Sequence, residues 1–287
     1  MQPEYGVMER RAVEGRLDSL IRDNRVTIAI TFPLVGTVLL IAAAEGVVPR
    51  SLAFNPFLLL GAVMVMRLPL IGGLAPLVNR RVATGLSGLV GFSWGIELLG
   101  VATGFPYGDF EYLIELGPML LDAVPIALPV FYFPILLNSY LLCTLILGDR
   151  MESLPIRFLS VLLVVITMDL VLDPGAVALG FWGWDAGGAY YDVPVQNYVG
   201  WLISGIVAVG VLTLSFDADA LDRRLDQCEY VLDDLISFGI LWGLVNLYFG
   251  NLVPVALAGA LLVALFRADW FDFAGLTRTT PQQPIEQ

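Results

Sequence analysis

LPIRFLSVLLVVITMDLVLDPGAVALGFWGWDAGGAYYDVPVQNYVGW, residues 154–201, carries the reading that decides the fold. Its first part, 154–172, is an apolar run close to the ~20 residues a helix needs to cross a ~30 Å hydrocarbon core. One acid, Asp169, interrupts that run and a second, Asp173, closes it. A loop dense in glycine, tryptophan and tyrosine follows, and a new apolar run opens at Val195. Two membrane spans joined by an aromatic connector are the simplest reading.

Outward from this stretch the same pattern recurs, with apolar runs at 26–44, 54–74, 82–103, 119–147, 195–214, 231–249 and 252–266. With 154–172 they make eight expected spans. The run at 119–147 is long and holds Pro125, Pro129 and Pro134, so kinks or tilt are expected in it. Composition agrees: 57% of the 287 residues are hydrophobic and 15% charged, and mean hydropathy is +0.80, more apolar surface than a water-soluble core can bury. The expected fold is an all-α polytopic membrane bundle. It divides into an amphipathic N-terminal segment (1–25), one transmembrane domain (26–266) and a C-terminal tail (267–287). No cleavable signal is read at the start.

Arginine placement sets the orientation, because cytoplasmic connections hold the positive charge. Arg10, Arg11, Arg16, Arg22 and Arg25 precede the first run, and Arg80, Arg81, Arg150, Arg157, Arg223, Arg224, Arg267 and Arg278 fall in alternate connections. Arg50 alone breaks the pattern, and Arg67 lies inside the second run. An even number of spans with both termini cytoplasmic, in the cell membrane, follows.

Lysine and histidine are absent, and 27 acids against 15 arginines give a net charge of −12. Such a balance fits a high-salt cytoplasm and argues against a nucleic-acid partner. Without lysine no retinal Schiff base can form. Without histidine the usual ligands of haem and zinc and the usual activator of a nucleophile are missing. Neither a phosphate-binding loop nor a dinucleotide fingerprint is present, so no cofactor is expected. Cys143 and Cys228 fall in different environments, and no disulfide is expected.

Ionisable residues inside the membrane carry the functional signal, since each costs a few kcal/mol unless paired or hydrated. Counted at ~1.5 Å per residue from the arginines at the cytoplasmic face, Arg67, Glu97, Asp169 and Asp173 lie ~18–24 Å above it. Asp169 and Asp173 share one helix face, and Asn138 reaches a similar level. The structural alternative is a buried ion-pair network that fixes helix packing. Three carboxyls against one arginine leave an acid without a counter-charge, and such a group keeps its proton. It is then a candidate general acid.

Two connectors, GFPYGDFEYLIELGP at 104–118 and MDLVLDPGAVALGFWGWDAGGAYYDVPVQNYVGW at 168–201, resemble one family. They are similar to the membrane-integral carotenoid biosynthesis proteins that hydrate terminal double bonds, and within these to the haloarchaeal bisanhydrobacterioruberin hydratases. The resemblance covers roughly the third to sixth runs. In that pattern a glycine follows the tyrosine pair, where Asp192 stands here. The resemblance implies addition of water to the terminal isoprene double bonds of a fifty-carbon carotenoid, within membrane lipid. Association with other membrane enzymes acting on the same pigment is left open.

Such a hydration needs a proton donor, a wall that tolerates a tertiary cation, and a positioned water. Asp173 or Asp169 is the expected acid, with Glu97, ionised beside Arg67, as the base that positions water. Trp94, Trp182, Trp184, Tyr190, Tyr191 and Trp201 are the expected cation pocket. Tyr107, Tyr112 and Asn138 belong to the expected substrate-binding set, and Asn197 is placed to bond the water or the product hydroxyl. The site falls in the outer half of the bilayer. A proton-coupled transporter and a carotenoid-binding protein without chemistry are the rival readings.

Overall fold

The computed structural model describes residues 3–268, with side chains from Met8 onward. The C-terminal tail expected at 267–287 lies outside the described residues from 269 on. The chain is an all-α membrane protein of eleven described helices: α1 (Pro3–Asp23), α2 (Phe32–Ala44), α3 (Arg50–Ala53), α4 (Pro56–Leu74), α5 (Arg80–Thr103), α6 (Leu128–Leu147), α7 (Leu154–Leu179), α8 (Val195–Ser215), α9 (Ala218–Gln227), α10 (Asp233–Phe249) and α11 (Leu252–Arg267). A π-helical turn, Thr27–Thr31, extends α2 at its start. Six of these segments are long and apolar enough to cross a membrane: α2 with its π turn, α4, α5, α6, α7 and α8. Helices α10, of 17 residues, and α11, of 16, are shorter. Even so, α10 packs against α2, α4, α6, α7 and α11 and forms the centre of the bundle.

Local chemistry sets the helix limits. Asn55 caps α4 by accepting from the amides of Phe57 and Leu58, and Asn79 caps α5 by accepting from Val82. Gly104, Gly180 and Gly250 end α5, α7 and α10 in the left-handed conformation that only glycine enters without cost. Helix α7 continues through Pro174 to Leu179, seven residues past the end of its apolar run. Proline has no N–H to give the carbonyl four residues back. That carbonyl, of Leu170, accepts instead from the Tyr190 hydroxyl at 3.2 Å.

One expected span begins later than its hydropathy suggests. Residues 119–127 are not helical: β2 (Met119–Leu120) and β3 (Val124–Pro125) form a short hairpin. Helix α6 then starts at Leu128 with Pro129 in its first turn, where a missing amide costs nothing. The two aromatic connectors also meet. In the first, β1 (Phe110–Tyr112) pairs antiparallel with β4 (Trp182–Trp184) of the second, placing Phe110 opposite Trp184 and Tyr112 opposite Trp182. Side chains alternate across a strand, so these four rings share one face of the ribbon.

Arg50, the exception to the charge pattern, sits on this strand side of the bundle. Its guanidinium lies 4.7 Å from the Phe54 ring centre and beside Gly180, at the C-terminal end of α7. A helix C-terminus carries partial negative charge, which accounts for a cation there.

Candidate active site

A cavity of about 470 Å³ opens inside the bundle beneath the β1–β4 ribbon. Glu97 from α5, Asp173 from α7, Asn197 and Trp201 from α8, and Tyr107, Tyr112, Trp182 and Trp184 from the connectors all line it, as does Arg67 from α4. Glu97 stands six residues before the end of α5 at Thr103, and Asp173 six before the end of α7 at Leu179. Both are therefore ~9 Å below the strand-side helix ends.

The two α7 acids form a pair, as their spacing requires. Asn197 Nδ2 donates to Asp169 Oδ2 at 3.0 Å and to Asp173 Oδ2 at 2.5 Å. One amide thus bridges the two carboxyls. Asp173 faces the cavity, whereas Asp169 sits behind it, fully buried, with Oδ1 lacking a partner among the described residues. Across the cavity, Glu97 accepts a hydrogen bond from the Tyr112 hydroxyl. Thus the β1 strand, besides roofing the site, fixes one of its acids.

Arg67 does not pair with Glu97. Its Nη1 donates to Asp234 Oδ1 at 2.5 Å, and Asn138 Nδ2 donates to the other oxygen of the same carboxylate at 2.5 Å. Asn138 therefore serves a separate cluster, away from Asp169 and Asp173. Depth explains the error. Arg67 lies eleven residues below the start of α4 at Pro56 and only seven above its end at Leu74. It is ~7 Å deeper than Glu97 and Asp173. Counting upward from Arg80 overstated its height, because 75–79 are not α-helical. Asp234 stands at the margin of its apolar run, where hydropathy does not mark it as a membrane acid, beside Asp233, which Arg25 holds at 2.6 and 2.9 Å. The rule that found Glu97, an acid inside an apolar run, covers both.

The aromatic residues divide by what they touch. Trp201 stacks on Tyr132 at 5.4 Å between centroids, and both line the cavity. Phe110, Phe131, Tyr132, Phe181, Phe238 and Trp242 also line it; of these, Phe110 and Phe181 fall within the two quoted connectors, and the others carry no motif that singles them out. Tyr107 is wedged between α5 and α8: a Cβ on Gly200 would stand 2.2 Å from its ring, and one on Gly100 3.1 Å. Its hydroxyl meets Ser204 Oγ at 2.6 Å, and its carbonyl accepts from Trp184 Nε1 at 3.0 Å. Trp94, Tyr190 and Tyr191 do not line the cavity. Tyr190 caps the carbonyl freed by Pro174, and the Tyr191 hydroxyl accepts from the Val253 amide at 3.3 Å.

Asp192 has a conformational role. Tyr191 and Asp192 hold φ of +51° and +64° between the bridged residues Tyr190 and Val193. Two consecutive positive φ values define a type I′ turn, where glycine and aspartate are among the favoured residues.

The sequence pattern of the family described as carotenoid biosynthesis protein matches residues 54–265. The chain belongs to the carotenoid biosynthesis protein family. It is 53% identical over 259 residues to the bisanhydrobacterioruberin hydratase of Haloarcula japonica, across 90% of this chain and 88% of that protein. No solved structure matches it. Within this carotenoid biosynthesis protein the family match contains every acid of the cavity. Part of the wall, Gly36, Leu39, Leu40, Leu52 and Ala53, precedes it.

Proposed function

We propose that this chain is a cofactor-independent carotenoid hydratase, a carbon–oxygen hydro-lyase that adds water to terminal isoprene double bonds and converts bisanhydrobacterioruberin to bacterioruberin. The observation that carries the reading is the placement of Glu97 and Asp173, from different helices, on one aromatic-walled apolar cavity. Neither acid has an arginine within salt-bridge distance among the described residues, and Arg67 is committed to Asp234. The relative's activity, at 53% identity, gives the chemistry its class.

Asp173 takes the acid role because it, and not Asp169, faces the cavity. The Asp169–Asp173 pair shares one amide donor and has no arginine partner among the described residues, and two adjacent carboxyls without a cation share a proton. Asp173 passes this proton to the less substituted alkene carbon, and the π electrons form the new C–H bond. The tertiary cation left on the neighbouring carbon faces Trp182, Trp184 and the Trp201–Tyr132 stack. Each ring face contributes roughly 0.5–2 kcal/mol of stabilisation to a cation held over it. Water positioned by Glu97 donates its lone pair to the cation, and Glu97 removes the surplus proton. Water in the cavity then returns that proton to Asp173, which resets both acids.

We place the protein in the cell membrane with eight spans, counting α10 and α11, both termini cytoplasmic and the site in the outer half. The test is the pigment profile of cells supplied with the anhydro precursor. Asp173→Asn and Glu97→Gln should each accumulate in the membrane yet leave the precursor unhydrated. Normal hydration in both variants would remove the acid–base mechanism.

A further inference from the structure

Most of the cavity wall is shielded, but three of its leucines are also open on the outer surface of the bundle. Leu39 is 43% exposed, Leu52 53% and Leu58 55%. They belong to α2, α3 and α4, consecutive elements that pack on one another and so form one continuous edge. Val35 and Val38 on α2 and Phe57 on α4 are exposed beside it, and the polar neighbours Arg50 and Ser51 lie at its α3 end. A wall of this kind admits an acyl or isoprenoid chain from the bilayer and gives a water-soluble ligand nothing to bind. The frame is held on the strand side, where Arg50 covers the Phe54 ring, Phe54 packs on Phe181 at 5.5 Å, and Asn55 caps α4.

Size calls for such an opening. A cavity of about 470 Å³ falls among pockets that enclose one compact ligand. A long polyene approaches the ~30 Å thickness of the hydrocarbon core and cannot be enclosed there. We propose that the gap edged by Leu39, Leu52 and Leu58 is a lateral portal and tail-binding subsite for an apolar polyene chain, which enters from the lipid and keeps its remaining length in the portal while one end reaches Glu97 and Asp173. The proposal rests on the hydratase reading for the identity of the chain. Two of the three leucines, Leu39 and Leu52, lie before residue 54, where the family match begins. This edge is therefore a place where tail selection can differ between members of the family.

The native thiols leave the surface free for a labelling test, since Cys143 is 4% exposed and Cys228 fully buried. Leu52→Cys and, separately, Leu58→Cys are labelled in liposomes with a bulky benzophenone maleimide. Leu121→Cys, at a position 78% exposed in the β2–β3 turn and outside the cavity lining, is the control. Labelling at either portal position should lower the initial rate of bisanhydrobacterioruberin hydration at least ~10-fold, and prior loading with that carotenoid should slow the labelling. The labelled control should hydrate at its unlabelled rate. Unchanged hydration after full labelling of both portal variants would overturn the portal. Should the unlabelled protein hydrate nothing, the hydratase reading fails by itself, and protection of the portal thiols by carotenoid then decides the portal: slowed labelling supports it, unchanged labelling overturns it.

Discussion

Exchange of partners around Arg67 can be measured as a coupling energy. Asp234 is fully buried and accepts at 2.5 Å from both Arg67 and Asn138, while the Arg67 side chain is 12% exposed. Asp234→Leu removes the carboxylate and leaves a guanidinium and an amide without their acceptor. Breaking a buried pair in this way costs about 3–5 kcal/mol, because the remaining charge is uncompensated. Adding Arg67→Met removes that charge, so the double variant should regain much of the loss. Hydrogen-bond couplings inside membranes average ~0.6 kcal/mol and reach ~1.7. A charged pair with its carboxylate fully buried should exceed that range, at about 2–4 kcal/mol. The same cycle between Arg67→Met and Glu97→Gln should give less than ~0.5 kcal/mol, the value for residues without a shared partner. Reversible unfolding of the purified protein in mixed micelles, followed by tryptophan fluorescence, supplies the four stabilities of each cycle. A coupling to Glu97 larger than that to Asp234 would refute the assignment and restore the Arg67–Glu97 pair.

Tyr190→Phe should cost roughly 1–2 kcal/mol of stability by leaving the Leu170 carbonyl without its donor, and the folded fraction should keep its turnover, since this ring does not line the cavity. Asp192→Gly should stabilise the protein by about 0.5–1 kcal/mol, because glycine enters a positive φ freely; a loss measured in the same micelles would assign the aspartate a further contact. Gly200→Ala puts a methyl inside the Tyr107 ring and should displace it from the site, seen as hydration slowed at least tenfold by pigment chromatography while the α-helical circular dichroism is retained. Hydration of a symmetric carotenoid should proceed one end at a time, because the cavity and its portal hold a single terminus. Time courses should therefore show a singly hydrated intermediate rising before the final product, and a doubly hydrated product from the first time point would contradict a one-ended site.

Hydropathy located the helices well because the cost of exposing a backbone to lipid leaves little freedom over where a span begins. It failed at 119–127, where the residues are apolar enough but Pro125 and Pro129 set the first helical turn at Leu128. The i, i+4 spacing of Asp169 and Asp173 predicted a shared face, and the structure joins them through Asn197. Relations between helices were less legible. Which way Arg67 points depends on the rotation of α4 against α5 and α10, and nothing in a linear count of depth contains that angle. Strands as short as β1 and β4 show no usable period, so the β1–β4 ribbon, which brings Tyr112 onto Glu97, left no trace beyond the aromatic residues themselves.

The separation of the acids into two groups explains how one bundle keeps both stability and chemistry. Asp233 and Asp234 each have an arginine from outside α10, Arg25 from the segment before the π turn and Arg67 from α4. Their charges tie α10, the central helix, to the N-terminal segment and to α4. Glu97, Asp169 and Asp173 accept instead from neutral donors, the Tyr112 hydroxyl and the Asn197 amide. A neutral donor supports either protonation state, whereas an adjacent guanidinium would hold a carboxyl ionised and take it out of proton transfer. With Arg67 held by Asp234, Glu97 and Asp173 have no guanidinium partner among the described residues, which is the condition the proposed proton transfer needs.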